Sequence, residues 1–144
     1  MPFLTDDDYK SQITDGILAR VIEDDNTLVP TEEQVAIELI GSYLSIRFDC
    51  DAIFAETGSS RNALIIMHMV NIVLFNLFTR VVPKNIPEVR TIRYQATLEW
   101  LSNVAKGELS PTLPLKQVID PETGETVDES LFFLNSNKKY AQGW

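Results

Sequence analysis

Few side chains in this sequence are of the types that perform catalysis, and they stand apart from one another. His68 is the only histidine and Cys50 is the only cysteine. His68 has no nucleophile or second metal ligand near it in the sequence, and such a lone histidine is more typical of a hydrogen-bonded core residue than of an active site. Cys50 lies between Asp49 and Asp51, whose charges disfavour a reactive thiolate. We therefore expect no catalytic residue and predict that the protein is not an enzyme.

Carboxylates are more numerous, but their spacing fits neither a metal loop nor an acid–base pair. Residues 6–8 are three aspartates directly after Thr5, a pattern typical of a capped first helical turn, where the helix dipole favours negative charge. A calcium loop would need alternating ligands and a glycine. Glu88, Glu99 and Glu108 are predicted to be spread along a solvated face rather than paired. The sequence also has no phosphate-binding glycine loop, and we expect no metal and no cofactor.

The chain is acidic, and its charge is unevenly distributed. It has 144 residues, enough for one domain with a single core, and a net charge of −9. Residues 1–60 carry 13 acidic and three basic side chains, a net charge of −10, whereas residues 61–111 carry three acidic and six basic ones, a net charge of +3. Phosphates repel such a chain, which disfavours free binding to nucleic acid by bulk electrostatics. The uneven distribution suits self-association or a partner of complementary charge.

The cysteine count and the N-terminus bear on the compartment. A single cysteine excludes an internal disulfide and a cysteine-rich zinc site, which fits a reducing compartment. The first ten residues, MPFLTDDDYK, have neither the basic nor the apolar region of a secretory signal. The sequence therefore predicts synthesis in the cytoplasm.

The remaining elements must be arranged around the most apolar stretch, residues 62–80. A helix that is apolar on all sides must be covered on all sides. Its mostly apolar run, residues 63–78, has 16 residues and is shorter than the roughly 20 residues that span a bilayer. The sequence therefore predicts a buried central helix rather than a membrane span, in which Asn71 and Asn76 make buried hydrogen bonds or face a partner.

Two amphipathic helices are predicted beside the central one, over residues 31–48 and 87–106. Thr31 is expected to cap the first of them in a capping box, and Gly41 to mark the close approach of another helix. Three glutamates of this helix are placed on its outer face: Glu32, Glu33 and Glu38. The core is predicted to include Tyr43, Leu44, Trp100 and Leu101. Two short helices precede these elements, and residues 49–60 are predicted to form a loop.

After residue 111 the helical pattern ends. Residues 117–127 predict a β-hairpin whose turn contains proline and glycine, and residues 130–134 a further strand. The fold class is therefore mainly α: a helical bundle of about five helices over residues 1–111, followed by a C-terminal arm, residues 112–144, that contains the β-hairpin. The arm carries four aromatic residues that we predict to contact an assembly partner: Phe132, Phe133, Tyr140 and Trp144.

Residues 86–107, IPEVRTIRYQATLEWLSNVAKG, resemble a segment of small tailed-bacteriophage proteins found in Mu-like virion-assembly modules. In that family a helix of the form RY…AL.WL..VA.G follows an apolar helix and precedes a β-containing arm. The start at residues 4–9, LTDDDY, and the segment at residues 40–48, IGSYLSIRF, are similar to the family as well. The resemblance covers most of residues 4–110 in order, and the hairpin at residues 115–134 departs from it.

The resemblance implies a structural virion protein, a head–tail connector or adaptor of the neck. Such proteins form a ring beneath the portal, dodecameric by the resemblance, and leave a channel through which DNA passes without specific binding. The implied partners are further copies of the chain, the portal protein and a tail or head-closure protein, with no membrane. The implied location is the virion neck after synthesis in the host cytoplasm.

Two other classes of function stay open from the sequence. One is a head-closure or tail-completion protein of the same neck region, which differs in the neighbour that the arm contacts. The other is a soluble binding or regulatory protein that is not part of the particle. An enzyme is the most remote alternative, because it would rest on His68 alone.

Overall fold

The structure is a computed structural model that describes residues 2–81 and 84–128. In these ranges it contains six α-helices, a 3-10 turn at Gly58–Ser60 and one two-stranded antiparallel sheet. The helices are α1 (Asp6–Tyr9), α2 (Asp15–Ile22), α3 (Leu28–Leu44), α4 (Cys50–Ala55), α5 (Ala63–Val81) and α6 (Glu88–Lys106). The strands are β1 (Gln117–Ile119) and β2 (Thr126–Asp128). The predicted mainly α fold with a C-terminal hairpin is confirmed.

Helix α5 is the centre of the bundle, because α1, α2, α3 and α6 all pack against it. Its length of 19 residues and its hydropathy would also allow a membrane span, and among the described residues it is the one helix with this property. In the bundle, however, consecutive residues from His68 to Leu74 are buried, so opposite sides of the helix are covered by protein. The prediction of a buried central helix is confirmed.

Helix α3 begins earlier than predicted. Its first residue is Leu28, and the hydroxyl of Thr31 donates to the carbonyl of Thr27 at 2.8 Å from inside the helix. The predicted capping box at Thr31 is therefore wrong. Pro30 lies in the first turn, where its missing N–H would have had no partner in any case. Asp25 orders the start instead, since its carboxylate accepts from both the backbone N–H and the hydroxyl of Thr27.

The predicted loop at residues 49–60 contains helix α4. Asp49 caps it, because its carboxylate accepts from the backbone N–H of Ala52 at 3.1 Å. Ile53 is buried and holds the helix against the core. The predicted close approach at Gly41 is also wrong within this chain, since a Cβ added there would meet no heavy atom within 4 Å.

Helix α6 packs on α5 and α3 and ends as predicted at Gly107, whose φ of 84° suits glycine. Its buried residues are Thr97, Leu101 and Val104. Of the predicted core residues, Leu44 and Leu101 are buried, whereas Tyr43 and Trp100 are half-buried at the edge of the core. The ring of Tyr94 is stacked on that of Phe75 with 4.0 Å between the centroids, which ties α6 to the C-terminal half of α5.

The C-terminal segment leaves the bundle beside the end of α3. The backbone N–H of Asp49 donates to the carbonyl of Pro114 at 2.8 Å, and Phe48 and Leu115 form an antiparallel bridge. The hairpin follows, with Val118 opposite Val127 and Gly124 in its turn. The predicted hairpin is confirmed as far as residue 128, and the predicted strand at residues 130–134 lies outside the described residues.

Candidate interaction surfaces and a buried polar cluster

Three polar side chains meet in the apolar interface between α5 and α6. His68 and Asn71 are three residues apart on α5 and so lie on one face of it, and Thr97 faces them from α6. The hydroxyl of Thr97 lies 2.9 Å from Nδ1 of His68 and 3.0 Å from Nδ2 of Asn71. The imidazole is also stacked on Trp100, with 4.3 Å between the ring centroids. All three polar residues are buried.

The hydrogen-bond chemistry assigns the protons in this cluster. The Asn71 amide donates to Thr97, so the single hydroxyl hydrogen of Thr97 is free to be donated to Nδ1 of His68. The hydrogen of the neutral imidazole then lies on Nε2, by inference from this network. Among the described residues, neither Nε2 of His68 nor Oδ1 of Asn71 has a hydrogen-bond partner. The predicted core histidine is therefore buried as expected, but only one of its two nitrogens is bonded.

We expect protonation of His68 to govern stability below neutral pH. Burial lowers the pKa of His68 to about 4, whereas the unfolded chain titrates near 6.5. His68 thus binds a proton more weakly in the folded state than in the unfolded state. The free energy of unfolding therefore falls as the pH falls from 6.5 towards 4. At one pKa unit per 1.36 kcal/mol, the loss between pH 6.5 and pH 5 is about 2 kcal/mol. Urea denaturation at several pH values measures it.

The matched variant for this pH series is His68→Phe, which keeps an aromatic ring against Trp100 and cannot titrate. Because the chain has one histidine, the variant should lose the slope between pH 5 and pH 6.5. A wild-type protein with the same shallow slope as the variant would contradict a depressed pKa of His68.

The N-terminal segment is attached to the start of α5 through Arg61. Its guanidinium donates to the carboxylate of Asp8 at 2.6 Å and to the carbonyl of Phe3 at 2.8 Å. The same group lies 5.7 Å from the centroid of the Phe3 ring. The side chains of Arg61 and Asp8 are only 11% and 13% exposed, so this ion pair is largely shielded from water. The interaction was not predicted, because residues 8 and 61 are 53 positions apart in the sequence.

A second buried contact joins α1 to α3. The hydroxyl of Tyr9 donates to the carboxylate of Glu33 at 2.6 Å. The predicted placement of Glu33 on the outer face is wrong, because Tyr9 covers it and leaves it 9% exposed. Burial raises the pKa of Glu33, the hydrogen bond from Tyr9 opposes this, and the charges of Asp6 and Asp8 raise it further. Burial and the neighbouring Glu33 likewise raise the pKa of Tyr9.

We expect Glu33→Gln to stabilise the protein at neutral pH. The raised pKa of Glu33 means that the folded state binds this proton more tightly than the unfolded state, so stability is full at low pH and is lost as the pH rises through the folded-state pKa. Glutamine keeps a carbonyl oxygen for the Tyr9 hydroxyl and carries no charge. Thermal unfolding of both proteins at pH 4 and pH 7 tests this: the variant should gain at pH 7 only. A variant that is less stable at pH 7 would contradict it.

The described residues provide few groups suited to catalysis or metal binding. They contain no group of three or more histidine, cysteine, aspartate or glutamate side chains that could hold a metal ion. Burial, followed by the charges of Asp49 and Asp51, raises the pKa of Cys50, which makes its thiolate less available. Glu88, Glu99 and Glu108 are exposed, as the sequence predicted.

Helix α6 exposes an apolar stripe on the side away from the core. It consists of Val89, Ile92 and Ala96, which are exposed at helical spacing, and we call it the α6 stripe. Val89 is 46% exposed and Ile92 is 55% exposed. Arg93 is exposed beside the stripe and forms no ion pair with any residue in the described ranges. Exposed apolar side chains that lie together on one face of a helix are typical of a contact surface.

A groove of about 350 Å³ lies between α3 and α4, and we call it the α3–α4 groove. Ile37 and Phe54 contribute apolar walls, Gly41 contributes the open floor, and Glu38 and Asp51 contribute two carboxylates. No basic side chain is among the described residues that line it. The groove is therefore apolar inside and acidic at its rim.

The four aromatic residues predicted to contact a partner lie outside the described residues, so their role stays a prediction. They are Phe132, Phe133, Tyr140 and Trp144. The described surfaces that sequence analysis missed are the α6 stripe and the α3–α4 groove. For the α6 stripe the sequence did contain a signal, because Val89, Ile92 and Ala96 recur at helical spacing.

Comparison with known families decides the relationship of the chain. The family model described as bacteriophage Mu, Gp36 matches residues 1–129. The chain belongs to the Mu Gp36 family. The match includes the hairpin, so the expectation that the sequence departs from its relatives at residue 115 is wrong up to residue 129. The comparisons with curated proteins and with solved structures gave no match.

Membership of the Mu Gp36 family confirms the predicted resemblance to Mu-like phage proteins. The chain is accordingly a bacteriophage structural or morphogenesis protein that is produced in the bacterial host.

Proposed function

We propose that this protein is a head–tail connector of a Mu-like bacteriophage, a ring-forming adaptor that joins the portal vertex of the head to the tail. The observation that carries the proposal is the match to the Mu Gp36 family over residues 1–129. The proposed partners are further copies of the chain, the portal protein and a tail or head-closure protein. The proposed location is the virion neck. The protein is not an enzyme in this proposal, and it needs no cofactor.

Two features of the described residues support an assembly role. The α6 stripe is an exposed apolar surface, and the α3–α4 groove is open to a partner. The aromatic residues after position 128 would add a third contact, through an arm that leaves the bundle beside Phe48.

The acidic N-terminal half suits the wall of a DNA channel. Exposed carboxylates occur on or beside the first four helices, for example on Asp7, Asp15, Asp24 and Glu56. A negative wall repels phosphates, so DNA would pass without adhering to it. A ring in which these carboxylates face outward would overturn this part of the proposal.

The experiment is electron microscopy of phage particles made without this protein. We expect heads without tails, some of them having lost their DNA, beside complete free tails, and restoration of joined particles when the protein is supplied from a plasmid. Joined heads with shortened or malformed tails would favour a tail-completion protein of the same neck region. Normal, infectious particles would overturn a virion role and favour a regulatory protein.

The contribution of the arm needs a truncation that leaves the bundle intact. Removal of everything after Pro111 would disturb the bundle, because Leu113 and Leu115 pack against the core. A chain that ends at Asp128 keeps these contacts and lacks all four predicted aromatic contacts. We expect it to fold and to fail to restore joined particles. Full restoration by this truncated chain would remove the arm from the proposal.

A further inference from the structure

We propose that the α3–α4 groove of one copy of this chain receives the α6 stripe of the next copy. This inference rests on the proposed function, because it names the contact by which copies would form a ring. Both surfaces, the α6 stripe and the α3–α4 groove, are left uncovered by the described part of the chain.

The shapes of the two surfaces are complementary. Gly41 makes the floor of the groove open, with space for at least a methyl group above it. The C-terminal end of the α6 stripe is Ala96, a small residue with the larger Ile92 one turn away. If Ala96 of one copy faces Gly41 of the other, the two helices can approach closely. Ile37 and Phe54, which flank the groove, would then cover the side chain of Ile92. A glycine in the middle of α3 costs about 1 kcal/mol relative to alanine, and no contact within the described chain explains its presence.

The charges are complementary as well. Glu38 and Asp51 stand at the rim of the groove, and Arg93 stands beside the stripe. The side chain of Arg93 has no carboxylate partner among the described residues of its own chain, and neither carboxylate has a cationic one. In a contact between copies, Arg93 of one copy would face a carboxylate of the other. Such pairing gives orientation and discrimination more than affinity.

The two surfaces are different, and this determines the kind of assembly. A contact between a groove and a stripe is heterologous, so each copy still has one unused surface of each kind after the first contact. Heterologous contacts either close into a ring or continue as a filament. A symmetric dimer, in which two α6 stripes face each other, would stop at two copies.

The native cysteine provides a direct test, because Cys50 lines the groove. We would introduce Ile92→Cys and Ala96→Cys singly into the full chain and oxidise the purified proteins at high concentration. The inference expects a disulfide between Cys50 of one copy and the new cysteine of the next, and therefore a ladder of dimers, trimers and larger species on a non-reducing gel. Lys106→Cys, which is exposed at the end of α6 almost three helical turns from Ala96, should give at least fivefold less product.

A second substitution separates the contact from a symmetric one. In a Cys50→Ser background, the ladder of the Ile92→Cys and Ala96→Cys variants should disappear. Dimers that persist without Cys50 would mean that two α6 stripes face each other, which overturns the inference. Absence of cross-linked product from both stripe variants would overturn it too.

Gly41→Leu tests the same contact by changing the shape of the groove instead of the position of the new cysteine. Leucine should fill the groove and reduce the cross-linked product of Ala96→Cys at least fivefold. The matched control is Gly16→Leu, at a second helical glycine with open space around it, which should leave the yield unchanged. Equal yields in the two variants would overturn the inference.

The inference and the proposed function fail in different ways. If phage made without the protein gives separate heads and tails but no cysteine variant is cross-linked, the connector role stands and this contact is wrong. If the ladder forms but particles without the protein are normal, the contact stands and the connector role is wrong.

Discussion

Replacing Thr97 with valine is expected to lower the free energy of unfolding by about 3 kcal/mol. Valine has the shape of threonine, so the change removes a hydroxyl without leaving a cavity. That hydroxyl is the only described partner of both Nδ1 of His68 and Nδ2 of Asn71. Nε2 and Oδ1 of the same two side chains already have no partner in the described chain, so the variant would leave both groups wholly unbonded in an apolar interface. Chemical denaturation at pH 7 measures the effect.

Two companion variants make this result specific. Thr91→Val alters a half-buried threonine of the same helix that makes no described side-chain hydrogen bond, and should change stability by less than about 0.5 kcal/mol. Thr97→Ser keeps the hydroxyl and should recover most of the loss. If Thr97→Val were as stable as Thr91→Val, the hydroxyl would not be holding the cluster together.

Replacing Arg61 with alanine is expected to cost about 2–3 kcal/mol, because it removes charge-assisted hydrogen bonds from a partly buried carboxylate. The variant leaves the carboxylate of Asp8, which is 13% exposed, without its cation. It also removes the hydrogen bonds to the carbonyls of Phe3 and Gly58. Because these contacts tie the N-terminal segment to the start of α5, we expect the first helix to become a site of limited proteolysis.

The control is Lys10→Ala, which breaks an ion pair of the same length in a different environment. Nζ of Lys10 lies 2.6 Å from Asp7, but the two side chains are 54% and 83% exposed. Exposed pairs of this kind contribute little, so no measurable change in stability is expected. Equal effects of the two substitutions would show that burial is not what makes the Arg61 pair important.

The pH dependence gives the Arg61 prediction a second readout. Burial alone would raise the pKa of Asp8, but hydrogen bonds from Arg61 and Thr5 outweigh it and hold the pKa below its usual value. The stability that this pair contributes is therefore present above the unfolded-state pKa and is lost as the pH falls through the folded-state value. On acidification below pH 4, the wild type should lose more stability than Arg61→Ala.

Long apolar runs and strong turn signals made part of the fold predictable from sequence. Residues 62–80 are apolar on all sides of a helix and their apolar run is short for a membrane span, which predicts a buried helix, and Gly107 marks the end of α6. The shorter helix α4, Cys50–Ala55, has too few residues to show a helical period. Thr31 looked like a cap because the sequence TEEQ satisfies the pattern, but the helix continues through Pro30 to Leu28.

The polar contacts were less predictable than the helices. His68 could be placed in the core, because it lies within an apolar run. Its partner Thr97 could not be identified, since that requires the register of α6 against α5. The burial of Glu33 depends on Tyr9, which approaches from a separate helix. The same holds for the α3–α4 groove, whose two walls come from elements that only the folded chain brings together.

The attachment of the C-terminal segment determines how the bundle would carry mechanical load. The guanidinium of Arg47 donates to the carbonyls of Val104 and Leu109, and its own carbonyl accepts from the N–H of Lys116. Phe48 and Asp49 bind the same segment by their backbones. A pull on the hairpin is therefore borne first by residues 47–49 and passes to the ends of α3 and α6, so tension reaches the periphery of the bundle before it reaches α5.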